Sequence, residues 1–96
     1  MSEILKNTEL QQALKKCPEW DVQDDEKEIY RTVEFEEFME AMDCVNMVAD
    51  LAEEANHHPD IDIRWLKVTF RLTTHESGGV TLSDVEMASR IDNLLD

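Results

Sequence analysis

The feature that most constrains the fold is a long apolar run with helical spacing between Phe35 and Asn56. Apolar side chains recur there every three or four residues, which predicts a helix of about five turns. The apolar stripe consists of Phe38, Ala41, Met42, Val45, Val48, Ala49, Ala52 and Ala55. This helix is expected to end at Asn56, directly before His57-His58-Pro59.

Shorter helices are predicted near both ends of the chain. Thr8 and Gln11 form a capping-box pattern with Thr8 as N-cap, and Pro18 ends the helix that follows. Near the C-terminus, Thr81 is predicted to cap a helix that carries Asp84 at its third position. The inward-facing side chains of the two helices are expected to be Leu10, Ala13, Leu14 and Cys17, and Val85, Ala88, Ile91, Leu94 and Leu95.

The segments between the helices alternate with a period of two, as strands do. Trp20 and Val22 precede an acidic turn at 23–26, and the alternation resumes from Ile29, which predicts a β-hairpin. Residues 61–74 also alternate, but the phase slips by one residue at Trp65-Leu66. Such a slip indicates two short strands joined by a bulge or tight turn. The order α-β-β-α-β-β-α predicts the α+β class, an antiparallel sheet with helices on one face.

Size and charge exclude several classes of function. A chain of 96 residues is expected to form one domain over residues 1–96. The 23 acidic residues against 9 basic ones give a net charge of -14, which disfavours binding to nucleic acid and to anionic membranes. There is neither a signal-peptide pattern nor a membrane-spanning run, so a cytoplasmic protein is expected. The 2 cysteines are expected to be free thiols.

All 3 histidines lie at predicted element boundaries: His57 and His58 after the long helix, and His75 after the last strand. Histidine is the usual general acid or base near neutral pH. A metal site is an alternative, although adjacent histidines rarely chelate one ion and no typical zinc spacing is present. The pattern by itself leaves acid–base catalysis, a metal site and the absence of any site open.

The spacing of these residues resembles a known signature, that of the pterin-4a-carbinolamine dehydratases. The positions that carry the resemblance are Glu53, His57-His58-Pro59, Trp65, His75 and Asp84, together with Thr74-His75-Glu76, Gly79 and the cap at residues 81–84. The predicted order of elements agrees with this family over nearly the whole chain. The sequence departs from the vertebrate members at Asn56, Ser77 and Ile61, and these differences concern details of the pocket.

The resemblance implies an architecture and an assembly. It implies a four-stranded antiparallel sheet with three helices on one face. Members of the family pair edge strands into an eight-stranded sheet, and two such dimers associate through the long helix. In this chain that second contact would use the helix that holds Met42, Cys44 and Met47. A homodimer or homotetramer is therefore expected.

The resemblance also implies a reaction, the loss of water from a 4a-hydroxytetrahydropterin, which recycles the tetrahydropterin cofactor of aromatic amino-acid hydroxylases. His57 and His75 would transfer the protons, and His58 would orient the pterin. Which histidine acts as acid stays open. Neither a metal nor an organic cofactor is expected, because the reaction involves no redox change.

Four further residues are candidates for substrate binding, and three of them also have an alternative role. Glu53 could orient a histidine or bind the pterin, or be a solvated helix-end glutamate. Asp84 could serve the site or only cap its helix. Trp20 could form an aromatic wall of the pocket or belong to the core. Pro59 is expected to fix the turn that presents the histidine pair. Trp65, by contrast, is expected in the sheet core.

A second class of function follows from the same resemblance. Family members also act as protein-binding partners, including as a dimerisation cofactor for a homeodomain transcription factor. A hydroxylase or another protein is therefore a possible partner. A pure binding module has no need of three histidines together with Glu53, which favours the enzyme. A metal-binding histidine cluster is the third alternative.

Overall fold

The computed structural model describes residues 3–95 and contains the seven elements in the predicted order. They are α1 (Asn7–Leu14), β1 (Asp21–Val22), β2 (Ile29–Glu34), α2 (Phe38–Ala55), β3 (Asp60–Arg64), β4 (Lys67–Leu72) and α3 (Leu82–Leu95). The fold is α+β, as the spacing predicted. No helix within residues 3–95 is long and apolar enough to cross a membrane.

The four strands form one antiparallel sheet in the order β1-β2-β4-β3. The interior strands β2 and β4 pair over six residues, from Ile29 opposite Leu72 to Glu34 opposite Lys67. Strand β3 pairs with the other side of β4, with Asp60 opposite Arg71. The start of β3 therefore lies beside the end of β4, and the segments that precede β3 and follow β4 leave the same end of the sheet.

One face of the sheet carries the core, because alternate residues of a strand point to the same side. Val68, Phe70 and Leu72 of β4 are fully buried, and they form one cluster with buried residues of all three helices. The opposite face is polar. There Thr32 and Thr69 share a hydrogen bond of 2.8 Å across the strands, and the Arg71 guanidinium lies 5.4 Å from the centre of the Tyr30 ring.

The start of α1 differs from the prediction. The helix begins at Asn7 after Lys6, so Thr8 lies inside it and is not the N-cap, and Lys6 makes no side-chain capping bond. The Asn7 N–H instead donates to the carboxylate of Glu26, in the acidic turn between β1 and β2, at 3.1 Å. A distant carboxylate thus takes the place of the local cap, and Leu10, Leu14 and Cys17 are buried as predicted.

Helix α2 has the predicted extent, but its buried stripe is narrower than its apolar stripe. The buried residues are Ala41, Cys44, Val48 and Ala52. Phe38, Met39 and Met47 are 45%, 67% and 44% exposed. Cys44 is only 4% exposed, because it packs inside its own chain.

The β3–β4 turn explains the predicted phase slip and corrects the expectation for Trp65. Trp65 and Leu66 form the two-residue turn, and each strand keeps its own alternation on either side of it. Trp65 has a φ of 53° and is 73% exposed, so it is not a core residue. A bulky side chain rarely adopts positive φ, and nothing in the sequence pattern indicated this conformation.

Two neighbouring residues of β4 with similar shape test this arrangement. Val68→Ala is expected to lower the free energy of unfolding by about 2 kcal/mol, because it removes buried methyl groups and leaves a cavity. Thr69→Ala, on the polar face, is expected to cost less than about 1 kcal/mol, since it removes one exposed hydrogen bond. Urea unfolding followed by tryptophan fluorescence measures both values, and equal losses would contradict the assignment of faces.

Candidate functional site

His57 is placed by the way in which α2 ends. Asn56 adopts the left-handed conformation with a φ of 52°, which asparagine tolerates better than most residues. The Asn56 N–H donates to the carbonyl of Glu53 at 3.3 Å, and the His57 N–H donates to that of Ala52 at 3.1 Å. These two bonds form a Schellman motif, which satisfies the last helix carbonyls and turns the chain sharply. The backbone of His57 is therefore tied to the helix it follows.

The side chain of His57 meets Asp84 from the first turn of α3. The distance from His57 Nε2 to Asp84 Oδ1 is 2.6 Å, and Asp84 is fully buried whereas the His57 side chain is 20% exposed. A carboxylate only accepts hydrogen bonds, so this contact assigns the ring proton to Nε2. In neutral His57, Nδ1 is then left as the acceptor. This arrangement can accept a proton, and Asp84 would stabilise the resulting imidazolium.

The second oxygen of Asp84 is held by two donors. The Thr74 hydroxyl donates to Oδ2 at 2.8 Å, and the backbone N–H of Thr81 donates to it at 2.9 Å. The Thr81 bond is the half of the predicted capping box that Asp84 provides, and the Thr81 hydroxyl contacts Thr74. Capping and the contact with His57 therefore coexist, because each uses a different oxygen of the same carboxylate.

His75 stands at the same end of the sheet, in the loop that follows β4. Because Asp60 pairs with Arg71, the residues just before β3 and just after β4 are neighbours. His75 follows Thr74 directly and is exposed. It borders an open groove of about 460 Å³, whose other lining residues are Gln23, Asp25, Lys27, Glu28, Thr73 and Gly78. His57 borders a separate hollow of about 120 Å³, lined also by Ala55, Ser83, Glu86, Met87 and Arg90.

His58 pairs with Glu53 rather than with Asp84. The distance from His58 Nε2 to Glu53 Oε2 is 2.6 Å, and the two side chains are 54% and 78% exposed. An ion pair this exposed contributes little to stability. The contact does restrict the direction in which the His58 ring points. Pro59 follows His58 in the chain, directly precedes β3 and is half-buried.

Trp20 lies in the core, which is the second of the two positions that the sequence left open for it. Its side chain is 3% exposed, and its indole N–H donates to Asp92 Oδ1 at 2.8 Å. The same oxygen accepts from Arg31 at 2.6 Å. Asp92 is eight residues beyond Asp84 on α3, about 12 Å along a helix axis at 1.5 Å per residue. Trp20 thus contacts the other end of that helix.

The cysteines are free thiols, as predicted, and both are buried. Burial, reinforced by the Asp92 carboxylate, raises the pKa of Cys17 to about 11. Burial also raises the pKa of Cys44, against an opposing effect of Arg31. Both therefore stay protonated at neutral pH, when a thiol is a poor nucleophile. Within residues 3–95, no three His, Cys, Asp or Glu side chains group as a metal site.

The residue that sequence reasoning missed is Thr74. It appeared only as part of the family pattern around His75, yet its hydroxyl reaches the carboxylate that contacts His57. The local sequence contains no signal for this contact, because Thr74 and Asp84 belong to different elements. A threonine at a strand end is common, and only the packing of β4 against α3 makes it part of the site.

Comparison with known proteins identifies the family of this chain. A family model described as pterin 4 alpha carbinolamine dehydratase matches residues 3–94. A relative from Nocardia farcinica (strain IFM 10152) is 47% identical over 97% of this chain and 96% of its own length. One from Koribacter versatilis (strain Ellin345) is 48% identical over 98% of both. Both are provisionally named pterin-4-alpha-carbinolamine dehydratase.

Two solved structures share the fold. A protein from Brucella melitensis, described as a transcriptional coactivator/pterin dehydratase, matches with a TM-score of 0.92 at 29% identity, over 98% of this chain and 100% of that one. A pterin dehydratase-like protein identified as a RuBisCO assembly factor in the alpha-carboxysome matches with a TM-score of 0.68 at 21% identity, over 82% of this chain and 92% of that one. The second likeness concerns the fold alone.

The family model covers nearly all of the described residues, and close relatives match along almost their full length. The chain therefore belongs to the pterin-4-alpha-carbinolamine dehydratase family and is a hydro-lyase.

Proposed function

We propose that this chain dehydrates a 4a-hydroxytetrahydropterin, with His57 and His75 transferring the two protons. The observation that carries the proposal is the 2.6 Å contact between His57 and the fully buried carboxylate of Asp84. A histidine held in one tautomer by a buried carboxylate is a typical arrangement for a general base. Membership of the family supplies the class of substrate.

The reaction needs one proton removed and one delivered. The lone pair of N5 forms the C4a=N5 double bond while the C4a–O bond breaks. The departing hydroxyl takes up a proton and leaves as water, and the N5–H proton passes to a base. The product is the quinonoid dihydropterin. One histidine must therefore start neutral and the other protonated.

His57 is the better candidate for the base. The bond to Asp84 leaves Nδ1 of neutral His57 as an acceptor, and the carboxylate stabilises the ring once it is protonated. His75 lies on the exposed loop beside the larger groove, where it could deliver a proton to the departing hydroxyl. This assignment leaves His58 outside the proton transfers.

His58 and Glu53 are proposed to orient the pterin. Their exposed contact contributes little to stability, so its value to the protein is expected to lie in substrate binding. The Glu53 carboxylate accepts from His58 and keeps the ring beside the segment that holds His57. Pro59 is proposed to limit the freedom of the turn that carries both histidines.

Removal of each proposed proton-transfer residue tests the reaction. His57→Ala and His75→Ala are each expected to lower kcat by about 10²–10⁴-fold, the usual contribution of a placed acid or base. His58→Ala is expected to raise KM more than it lowers kcat. The measurement is stopped-flow ultraviolet absorbance of enzymatically generated 4a-hydroxytetrahydropterin, with and without a chelator.

Gln12→Ala on the exposed surface of α1 is the control and should match the wild type. If folded wild-type protein fails to accelerate loss of the intermediate, the chain is not a dehydratase. In that case a protein-binding role becomes the leading interpretation. Loss of activity on chelation would favour the metal-site alternative instead.

A separate prediction concerns Asp84. Asp84→Asn keeps the size of the side chain but allows its amide to donate to His57, which would place the ring proton on Nδ1. We expect kcat to fall by about 10²-fold or more, with a smaller change in KM. Circular dichroism must show an intact fold, and unchanged kcat in a folded variant would remove Asp84 from the mechanism.

We also propose that the chain self-associates, which would use surface that its own fold leaves uncovered. Phe38, Met39 and Met47 expose apolar side chains on α2, and β3 is an edge strand with Ile63 38% exposed. Exposed apolar side chains and unpaired edges are both typical of contact surfaces. A hydroxylase or other protein is a second candidate occupant, and the coactivator description of the Brucella melitensis protein keeps it open.

A charge placed on α2 tests self-association. Met39→Glu is expected to raise the dissociation constant of the oligomer by about tenfold or more, because an unpaired carboxylate would be desolvated in the contact. Gln12→Glu adds the same charge on α1 and should leave the dissociation constant of the oligomer unchanged. Sedimentation equilibrium measures both, and a wild-type chain that stays monomeric at high concentration would contradict the proposal.

A further inference from the structure

Two threonines and one backbone amide form a connected set of donors around Asp84. The Thr74 hydroxyl has a single proton, which it donates to Asp84 Oδ2 at 2.8 Å. The contact of 2.8 Å between the Thr74 and Thr81 hydroxyl oxygens must then have Thr81 as its donor. The result is a relay from the Thr81 hydroxyl to Thr74 and on to Asp84, in which each bond polarises the next.

This relay leaves one oxygen of Asp84 for His57. Oδ2 already accepts from the Thr74 hydroxyl and the Thr81 N–H, and Oδ1 is the oxygen that contacts His57. Asp84 and Thr81 are both fully buried, so solvent does not reach them to replace a lost donor. Removal of the Thr74 hydroxyl would take away one of the two donors that hold Oδ2 and would leave the Thr81 hydroxyl without its acceptor.

The backbone of Thr74 organises the loop that holds His75. The Thr74 N–H donates to the Gly79 carbonyl at 2.9 Å, and the Thr74 carbonyl accepts from the N–H of Ser77 at 3.0 Å and of Gly78 at 2.9 Å. Gly78 has a φ of 83°, which glycine adopts readily. The backbone of Thr74 therefore bonds the residues at the far end of the loop, and His75 is the first residue after Thr74 in that loop.

From these contacts we infer that Thr74 is a positioning residue that joins the two proton-transfer histidines. Its hydroxyl holds the Asp84 carboxylate that sets the tautomer of His57, and its backbone closes the loop that presents His75. The inference rests on the proposed function for its effect on rate. The effect on the His57 ring is independent of any reaction.

The test replaces Thr74 by valine, which keeps the shape and removes the hydroxyl. Thr74→Val is expected to lower kcat by about tenfold to a hundredfold, the range for a lost hydrogen bond to a charged acceptor, with KM changed less. Nitrogen-15 NMR of the histidine rings should show His57 losing its preference for the Nε2–H tautomer. Thr74→Ser, which keeps the hydroxyl, should restore both.

A matched control is Thr32→Val, the same substitution at a threonine whose hydroxyl bonds Thr69 on the polar face of the sheet. It should leave kcat and the His57 spectrum unchanged. If Thr74→Val fails to fold, Thr74→Ser and Thr74→Ala provide a second comparison that differs only by the hydroxyl. The serine variant should then exceed the alanine variant in kcat and in the Nε2–H population.

The outcomes separate the two proposals. An inactive wild type whose His57 tautomer still depends on the Thr74 hydroxyl would remove the dehydratase and keep the positioning role. An active wild type with equal kcat and the same His57 tautomer in folded valine and serine variants would overturn the positioning role. Loss of activity in both variants would do so too, since the hydroxyl that serine keeps would then have failed to restore the rate.

Discussion

The buried carboxylate of Asp84 is the interaction on which this end of the molecule depends. A charge removed from water is stable only where donors replace the water, and Asp84 finds three. The Thr81 N–H comes from the start of α3, the Thr74 hydroxyl from the loop after β4, and His57 from the end of α2. One carboxylate therefore ties together segments that are far apart in the chain and stabilises the first turn of its own helix.

The register of β3 against β4 brings those segments together. Because Asp60 pairs with Arg71, the chain that leaves α2 and the chain that leaves β4 emerge side by side. The Schellman motif after α2 then determines where His57 leaves the helix. Hydrogen bonds of the backbone thus set the approximate position of the histidines, and the contacts of Asp84 and Glu53 restrict their ring orientations.

The two tryptophans show how strongly context decides the use of a side chain. Trp20 is buried and satisfies its N–H with Asp92, whereas Trp65 is exposed in a tight turn at positive φ. Hydrophobicity favoured a core position for Trp65, but the turn at the end of β3 directs it to the surface. Similarly, Cys44 and Met47 lie on one helix, yet only the first packs into its own chain. Apolar character alone does not separate the core from a surface available to a partner.

Local patterns in the sequence determined the elements of this protein: the extent of α2, both hairpins, the phase slip at Trp65 and the cap at Asp84. Each depends on residues a few positions apart, whose spacing is visible in the chain. The pairing of His57 with Asp84 has no signal in local spacing, and the sequence pointed to the histidines, Glu53 and Asp84 together only through the resemblance to a family. Tertiary structure alone decided that Glu26 meets Asn7, that Trp20 bonds Asp92, and that Thr74 reaches the carboxylate beside His57. The physical reason is that a buried polar group takes its partners from whichever elements pack around it, and those elements are distant in sequence.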